Sequence, residues 1–333
     1  MTTTTPSATT APSSTAPATP RVDIVTPAYN AEKTIAETIR SVVAQEFENW
    51  VMWIVDDGSQ DDTAACVRAT TDDPRVRLIE QENRGASHAR NRALDEIEKQ
   101  VAEKQVAEKQ AIDKQRNDNH YVAFLDADDV WEPGFLTQMV ATLEDDAELG
   151  MAWCEMEYID QGGHYRENRP PVVGEASETF GAIFTAVTFL PSCSLFRAGF
   201  FREGLRWRQD CSPMEDMPIF CAVAAASRIG HVPLTLSNYR VHEGSSTTSR
   251  GAVGRNYPTM IFTFEMLYRE YQRWIPSSAY RQRMWYIYHH AADNQMCEGR
   301  RPWGLLLRAL RHRPTALLTW KNLAKTALGR SRS

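Results

Sequence analysis

The 333-residue sequence contains no apolar run as long as the roughly 18 residues that a membrane-spanning helix needs. Its start lacks the basic residues and the apolar core of a secretory signal, so we expect none there. The six cysteines are scattered without a Cys-x-x-Cys pair, which argues against a zinc site or disulfide framework and is typical of a reducing compartment. A net charge of −6 argues against nucleic acid as a partner. We therefore expect a soluble, cytoplasmic enzyme.

Residues 1–20 consist almost entirely of threonine, alanine, proline and serine. This composition cannot bury a hydrophobic core, so we predict a disordered tail. From residue 21 onward, short apolar segments alternate with segments of helical periodicity, which predicts an α/β fold with a mainly parallel, Rossmann-like central sheet. The first four predicted strands cover residues 22–26, 51–55, 76–79 and 121–125.

An acidic stretch directly follows the fourth predicted strand. Asp126 and Asp128 are two residues apart, so on extended backbone their carboxylates point to the same side. Ligands of open α/β sheets bind beyond the carboxyl ends of such strands, and two hard oxygen anions suit Mg²⁺ or Mn²⁺. The alternative interpretation is an acidic loop that caps the helix beginning near Pro133.

Two segments do not belong to a minimal α/β unit. Residues 96–119 contain a tandem repeat of Val-Ala-Glu-Lys-Gln, made of strong helix formers with almost no apolar face. This pattern predicts a solvent-exposed extension of the preceding helix, and a partner-binding arm is the alternative. Residues 246–333 form a predicted helical region with no acidic residue after Glu298. Its basic, Trp-containing end is either a peripheral contact with an anionic membrane or a helical cap with a solvated basic face.

Five motifs occur in a fixed order, and the first four follow predicted strands. They are Pro27-Ala28-Tyr29-Asn30, Asp56-Asp57-Gly58-Ser59, Asn83-Arg84-Gly85 with Ala89-Arg90-Asn91, Asp126-Ala127-Asp128-Asp129, and Glu215-Asp216. As a set, these motifs closely resemble those of the family 2 glycosyltransferases, which have the GT-A fold. The resemblance covers residues 21–242 and implies a GT-A glycosyltransferase domain at 21–245 with the repeat arm inserted.

The resemblance implies that a nucleotide-sugar, most often a UDP-sugar, binds at the carboxyl ends of the strands. An aromatic ring such as that of Tyr29 can stack on the base. Asp56 or Asp57 would accept a hydrogen bond from uracil, although an acid at a strand end can also bind ribose. For Arg90 the alternative is a charge on the helix surface. The residues so assigned are Pro27, Tyr29, Asn30, Asp56, Asp57, Arg84, Gly85, Arg90, Asp126 and Ala127.

The resemblance also implies a metal and a catalytic base. Asp128 would ligate Mn²⁺ or Mg²⁺, which offsets charge on the leaving nucleoside diphosphate. His242 is a second candidate ligand, although a lone histidine near a strand end is more often simply packed. Asp216 matches the base that takes a proton from the acceptor hydroxyl as the oxygen attacks and inverts the anomeric carbon. Its alternative role is helix capping.

These inferences lead us to expect an inverting, metal-dependent glycosyltransferase in surface polysaccharide or glycoconjugate biosynthesis. Its acceptor would be a hydroxyl of a glycan or a lipid-linked sugar, and its location the cytoplasm or the inner face of the plasma membrane. A polyprenyl-phosphate sugar synthase shares the first four motifs, but its acceptor phosphate needs no base, so Glu215 and Asp216 disfavour it. A non-catalytic sugar-nucleotide-binding scaffold is the alternative from another class.

Overall fold

The computed structural model describes residues 19–107, 119–159, 190–241 and 250–328. Nearly all of the predicted N-terminal tail, residues 108–118 of the predicted arm and the predicted metal ligand His242 lie outside these ranges.

Eight strands of the described residues form one sheet in the order β3-β2-β1-β4-β7-β6-β8-β5. Strands β1 to β4 are mutually parallel along this order, as predicted. Strand β7 is antiparallel to both β4 and β6, β6 is parallel to β8, and β5 is antiparallel to β8. The predicted α/β fold with a mainly parallel sheet is confirmed. The strands are β1 Arg21–Ala28, β2 Trp50–Asp56, β3 Val76–Glu80, β4 His120–Phe124, β5 Val130–Trp131, β6 Leu149–Ile159, β7 Ser194–Arg197 and β8 Arg228–Arg240.

Helices cover both faces of this sheet, and four of them follow it at the C-terminal end. No helix in the described ranges is long and apolar enough to cross a membrane. The helices are α1 Ile35–Val43, α2 Thr63–Thr70, α3 Ala86–Ala107, α4 Phe135–Asp145, α5 Gly199–Arg202, α6 Asp216–Ala226, α7 Arg250–Tyr271, α8 Ser277–Cys297, α9 Trp303–His312 and α10 Leu317–Ala327.

Each face of the sheet carries its own hydrophobic cluster, because successive side chains of a strand point to opposite faces. In β1, Ile24 belongs to the cluster that includes α1 and α4, whereas Val25 belongs to the cluster that includes α3, α6 and the C-terminal helices. Every residue of β4 is buried between these layers. A strand buried on both faces is held rigidly, so the acidic stretch that follows β4 begins from a fixed position.

Helix α3 continues without interruption from the Ala89-Arg90-Asn91 motif into the repeat. The first turns of the repeat region are anchored to the body of the protein. Glu98 pairs with Arg206 at 2.7 Å, and the side chain of Gln100 accepts a hydrogen bond from Arg21 at 2.7 Å. These contacts hold the middle of α3 against the body of the protein.

Candidate active site

A cleft of about 650 Å³ opens beyond the carboxyl ends of β1, β2 and β4. Parallel strands end at the same edge of a sheet, so the motifs that follow them meet there although they are far apart in the sequence. Three further predicted residues, Asp56, Arg84 and Gly85, lie outside its lining. The predicted residues that line it are Pro27, Tyr29, Asn30, Asp57, Arg90, Asp126, Ala127, Asp128 and Asp216.

Asp57 organises the loop that follows β3. Its carboxylate accepts hydrogen bonds from the backbone N–H groups of Arg84 at 2.9 Å and Gly85 at 2.7 Å. The side-chain amide of Gln81 donates a third, at 2.7 Å. A carboxylate offers about four acceptor positions, so one remains for a ligand in the cleft.

The two neighbouring acids at the end of β2 have different surroundings and therefore different roles. The Asp56 carboxylate accepts a hydrogen bond from the backbone N–H of Ser59 at 2.9 Å and is buried outside the cleft. Asp56 therefore stabilises the turn after β2. Of the two candidates for a contact with the base or ribose, Asp57 is the one that reaches the cleft.

Gly58 lies in this turn with φ +71°, a left-handed conformation that glycine adopts most easily. A Cβ atom at this position would lie 2.7 Å from the backbone nitrogen of Asn83, which cannot move aside as a flexible side chain could. The turn after β2 and the loop after β3 can approach this closely only because residue 58 has no side chain.

The substitution Gly58→Ala should lower the free energy of unfolding by about 2 kcal/mol, because it adds both backbone strain and a steric clash. Gly134→Ala is the matched control, since Gly134 has φ −85° and open space around its Cα. Urea unfolding of both variants measures the difference. Equal midpoints for the two variants would contradict the prediction.

Hydrogen bonds to its backbone carbonyls hold the acidic stretch after β4 in place. Thr34 donates a hydrogen bond to the carbonyl of Ala127 at 2.9 Å. The buried guanidinium of Arg240 donates to the carbonyl of Asp128 at 2.7 Å. Sequence reasoning assigned no role to Thr34 or Arg240. Together these contacts fix the backbone that carries the cleft carboxylates of Asp126 and Asp128.

Arg90 lies at the centre of the acidic groups, and its side chain is only 6% exposed. Its guanidinium nitrogens lie 2.6 Å from Asp126 Oδ1 and 3.5 Å from Glu215 Oε1. Burial lowers the pKa of Arg90, but the carboxylates of Asp126, Glu215 and Asp216 outweigh it and raise the pKa above its ordinary value. The alternative of a helix-surface charge is therefore wrong for this residue.

The ring of Trp207 packs against the guanidinium of Arg90, whose Cζ lies 4.4 Å from the ring centre. Asn91 fixes Trp207 in turn. The side-chain amide of Asn91 donates to the carbonyl of Trp207 and accepts from its backbone N–H, both at 2.9 Å. The sequence assigned Asn91 no function, although its position directly after Arg90 in the motif could have indicated one.

Asp216 is the first residue of α6 and lines the cleft. Burial raises the pKa of Asp216 to about 7, with a further contribution from the negative charge of Glu215. The backbone N–H of Met217, which donates to Asp216 Oδ1 at 2.9 Å, and the charge of Arg90 act in the opposite direction. The capping interpretation accounts for one carboxylate oxygen only. A carboxylate that exchanges its proton near neutral pH is suited to general base catalysis.

The chemistry of the cleft fits a divalent metal that arrives with a diphosphate. Within the described residues, no group of three or more His, Cys, Asp or Glu side chains could hold a metal ion by itself. Mg²⁺ is commonly bound by one or two carboxylates together with substrate phosphates, and Asp126 and Asp128 supply such carboxylates in one cleft. Asp126 is paired with Arg90, and Asp128 lines the same cleft two residues further along the chain.

The fold and the acidic cleft define the class of a GT-A glycosyltransferase. Residues 23–205, more than half of the chain, match the family model described as "Glycosyl transferase family 2". The chain therefore belongs to this family.

Relatives with curated descriptions agree with this assignment. An uncharacterized glycosyltransferase of Rickettsia felis is 25% identical over 236 residues, which cover 68% of this chain and 34% of the relative. The chain thus spans about a third of the length of that relative. The putative teichuronic acid biosynthesis glycosyltransferase TuaG of Bacillus subtilis is 36% identical over 115 residues, 34% of this chain and 38% of the relative.

Two solved structures show the same fold. The S. aureus protein TarS, residues 1–349 in complex with UDP-GlcNAc, superposes with a TM-score of 0.55 and 15% identity, covering 93% of this chain and 92% of that one. The mannosyltransferase PcManGT from Pyrobaculum calidifontis, in complex with GDP-Man and Mn²⁺, also has a TM-score of 0.55, with 19% identity and coverage of 94% and 77%.

Proposed function

We propose that the protein is an inverting, metal-dependent glycosyltransferase that moves a sugar from a UDP-sugar to a hydroxyl acceptor in surface polysaccharide or glycoconjugate biosynthesis. The observation that carries this proposal is Asp216, a carboxylate with a pKa of about 7 in the same cleft as Asp126 and Asp128. A base that works at neutral pH and a place for a diphosphate are the two requirements of direct sugar transfer. The relative TuaG, named for teichuronic acid biosynthesis, supports the polysaccharide role.

The donor's nucleoside would occupy the part of the cleft formed by β1 and β2. Tyr29 lines it with a ring that is 48% exposed and so accessible for stacking on a base. Asp57 has one acceptor position left for an N–H of the base or a ribose hydroxyl. Solved neighbours hold UDP-GlcNAc in one case and GDP-Man in the other. The single acceptor position left on Asp57 supports uracil, which offers one ring N–H, over guanine, which offers an N–H and an NH2 group.

The acceptor would lie between the donor's sugar and Asp216. The carboxylate of Asp216 takes the proton of the acceptor hydroxyl, the oxygen forms a bond to the anomeric carbon, and the bond from that carbon to the diphosphate breaks on the opposite side. The configuration is inverted because entry and departure occur on opposite faces. A metal held at Asp128, when bound, offsets the charge of the diphosphate. Arg90 holds Asp126 and Glu215 in place around this reaction.

Glu215 and Asp216 both line the cleft, which disfavours a polyprenyl-phosphate acceptor because such an acceptor is already an anion. The same intact acidic set disfavours a non-catalytic scaffold. All six cysteines are free thiols, which supports the proposal that the enzyme works in the cytoplasm.

Donor binding is tested by thermal unfolding of the wild type with UDP, UDP-sugars and GDP-mannose, each with and without Mn²⁺. A ligand at about 100 times its dissociation constant should stabilise the fold by about 2.7 kcal/mol, and we expect this only for uridine nucleotides with Mn²⁺. Asp128→Ala should lose the Mn²⁺-dependent part of the stabilisation. Asp72→Ala, at an exposed acid outside the cleft, is the matched control and should keep it.

Stabilisation by GDP-mannose alone would overturn the uridine assignment. Equal stabilisation with and without Mn²⁺ would overturn the metal dependence. If no nucleotide stabilised the protein, the donor site itself would be overturned, whereas stabilisation without any release of nucleoside diphosphate would favour the non-catalytic scaffold.

A further inference from the structure

Helix α10 lies on the protein with its polar side inward and its apolar side outward. The buried side chains are Thr319, Asn322 and Thr326. On the opposite side, Leu317 is 75% exposed and Trp320 is 50% exposed. A surface helix ordinarily turns its apolar side to the core, so this arrangement is reversed.

Hydrogen bonds to α8 hold α10 in the reversed orientation. The indole N–H of Trp285 donates to the hydroxyl of Thr319 at 3.0 Å, and the same hydroxyl lies 3.1 Å from Nδ1 of His289. The side-chain amide of Asn322 donates to the carboxylate of Asp293. Because the buried side of α10 is matched to polar groups of α8, rotating the helix would break these hydrogen bonds and bury Leu317 or Trp320 against polar groups, which costs free energy.

The outer face of α10 is therefore formed by Leu317, Leu318 and Trp320, with Leu328 directly after the helix, all exposed, together with the exposed lysines Lys321 and Lys325. Nothing in the packing of the described residues requires these positions to be apolar. Three leucines and a tryptophan on or directly after one exposed helix form a surface that mostly marks an interaction site. The aliphatic parts of the lysine side chains can lie on apolar surface while their ammonium groups reach solvent.

The charged side chains of α9 and α10 are all basic. No acidic residue follows Glu298 in the sequence. Helix α9 adds exposed Trp303 and Leu307 with exposed Arg308 and Arg311. Apolar side chains, tryptophan at the boundary and basic residues are the combination that binds the headgroup region of an anionic bilayer.

A second copy of the chain fits this surface less well. A two-fold symmetric contact would place the lysines and arginines of one copy against those of the other, and like charges repel. A bilayer of anionic lipid instead complements both the charge and the apolar side chains. We propose that the outer face of α10 docks the protein peripherally on an anionic membrane surface. This inference stands apart from the proposed transfer reaction, because none of its residues lines the cleft.

The test is flotation of the full chain with vesicles of phosphatidylglycerol and phosphatidylcholine, and with vesicles of phosphatidylcholine alone. The wild type should float with the anionic vesicles only. Leu317→Ser combined with Leu318→Ser should lose binding. Lys321→Glu combined with Lys325→Glu should weaken it by about 25-fold or more, on the basis of roughly fivefold per basic residue near the surface.

Leu234→Ser is the matched control, because Leu234 on β8 is 46% exposed and lies outside α9 and α10. It should float like the wild type. The proposal would be overturned by a wild type that ignores anionic vesicles, or by outer-face variants that still float. Sedimentation equilibrium provides a further check: a wild-type dimer that becomes monomeric in the leucine variant would assign the face to a second copy. Stabilisation by nucleotide, measured in each variant, should not change and reports the transferase site separately.

Discussion

Replacing Asp216 with asparagine should lower kcat for sugar transfer by about 10³-fold, because the amide is the same size but cannot accept the proton of the acceptor hydroxyl. Donor binding should stay close to that of the wild type, since the donor's nucleoside and diphosphate contact other residues of the cleft. Release of nucleoside diphosphate measures transfer, and nucleotide-dependent thermal stabilisation measures binding. An Asp216→Asn enzyme with full activity would mean that the acceptor needs no base and would favour the polyprenyl-phosphate sugar synthase.

The pH dependence of the wild type follows from the same carboxylate. The base must be unprotonated, and its pKa is about 7, so kcat/KM should fall about tenfold per unit as the pH drops below 7. The charge of Glu215 contributes to the raised pKa of Asp216, so Glu215→Gln should move this acid limb to lower pH. A profile that is flat between pH 5 and 8 in the wild type would remove Asp216 from the role of base.

The raised pKa of Asp216 also predicts that the base destabilises the fold at alkaline pH. The folded protein holds this proton up to pH 7, whereas the unfolded chain releases it near the ordinary value of 3.8. Stability should therefore fall as the pH rises from about 4 to about 7. At pH 8 the Asp216→Asn variant should be more stable than the wild type by about 1–4 kcal/mol, and this gain should vanish near pH 4.

Replacing Arg90 with methionine should have the largest effect on stability. Removing this buried cation takes from the carboxylates of Asp126 and Glu215 the guanidinium that pairs with both, and breaking a buried pair typically costs about 3–5 kcal/mol of unfolding free energy. Arg90→Lys should fall between this variant and the wild type, because one ammonium group cannot reach both acids and also cover the ring of Trp207.

Arg92→Met is the control for Arg90→Met. Arg92 is on the same helix, but its side chain is 45% exposed and pairs with Glu96 one turn away. An exposed pair of this kind contributes less than about 1 kcal/mol, so the control should unfold almost like the wild type in urea. If Arg90→Met were as stable as Arg92→Met, the acids around Arg90 would not depend on it for compensation.

Much of the fold follows from local patterns in the sequence. Short apolar strands that end near Pro27, Asp56 and Asp126 alternate with helical periodicity, and this alternation is enough to predict the parallel strands β1 to β4. The antiparallel position of β7 between β4 and β6 was not predicted from the sequence. It has only four residues, and its place depends on contacts with strands far away in the sequence rather than on a pattern of its own.

The sequence by itself determined which acids and turns gather at one edge of the sheet, because connectivity alone forces the carboxyl ends of parallel strands together. Only the tertiary structure decided what each one does there. It placed Asp57 in the cleft and its neighbour Asp56 outside it. It also buried Arg90 between two carboxylates, through contacts with distant loops that no local pattern encodes. It also placed the apolar side of α10 outward, because polar groups of α8 form hydrogen bonds with the polar side of α10.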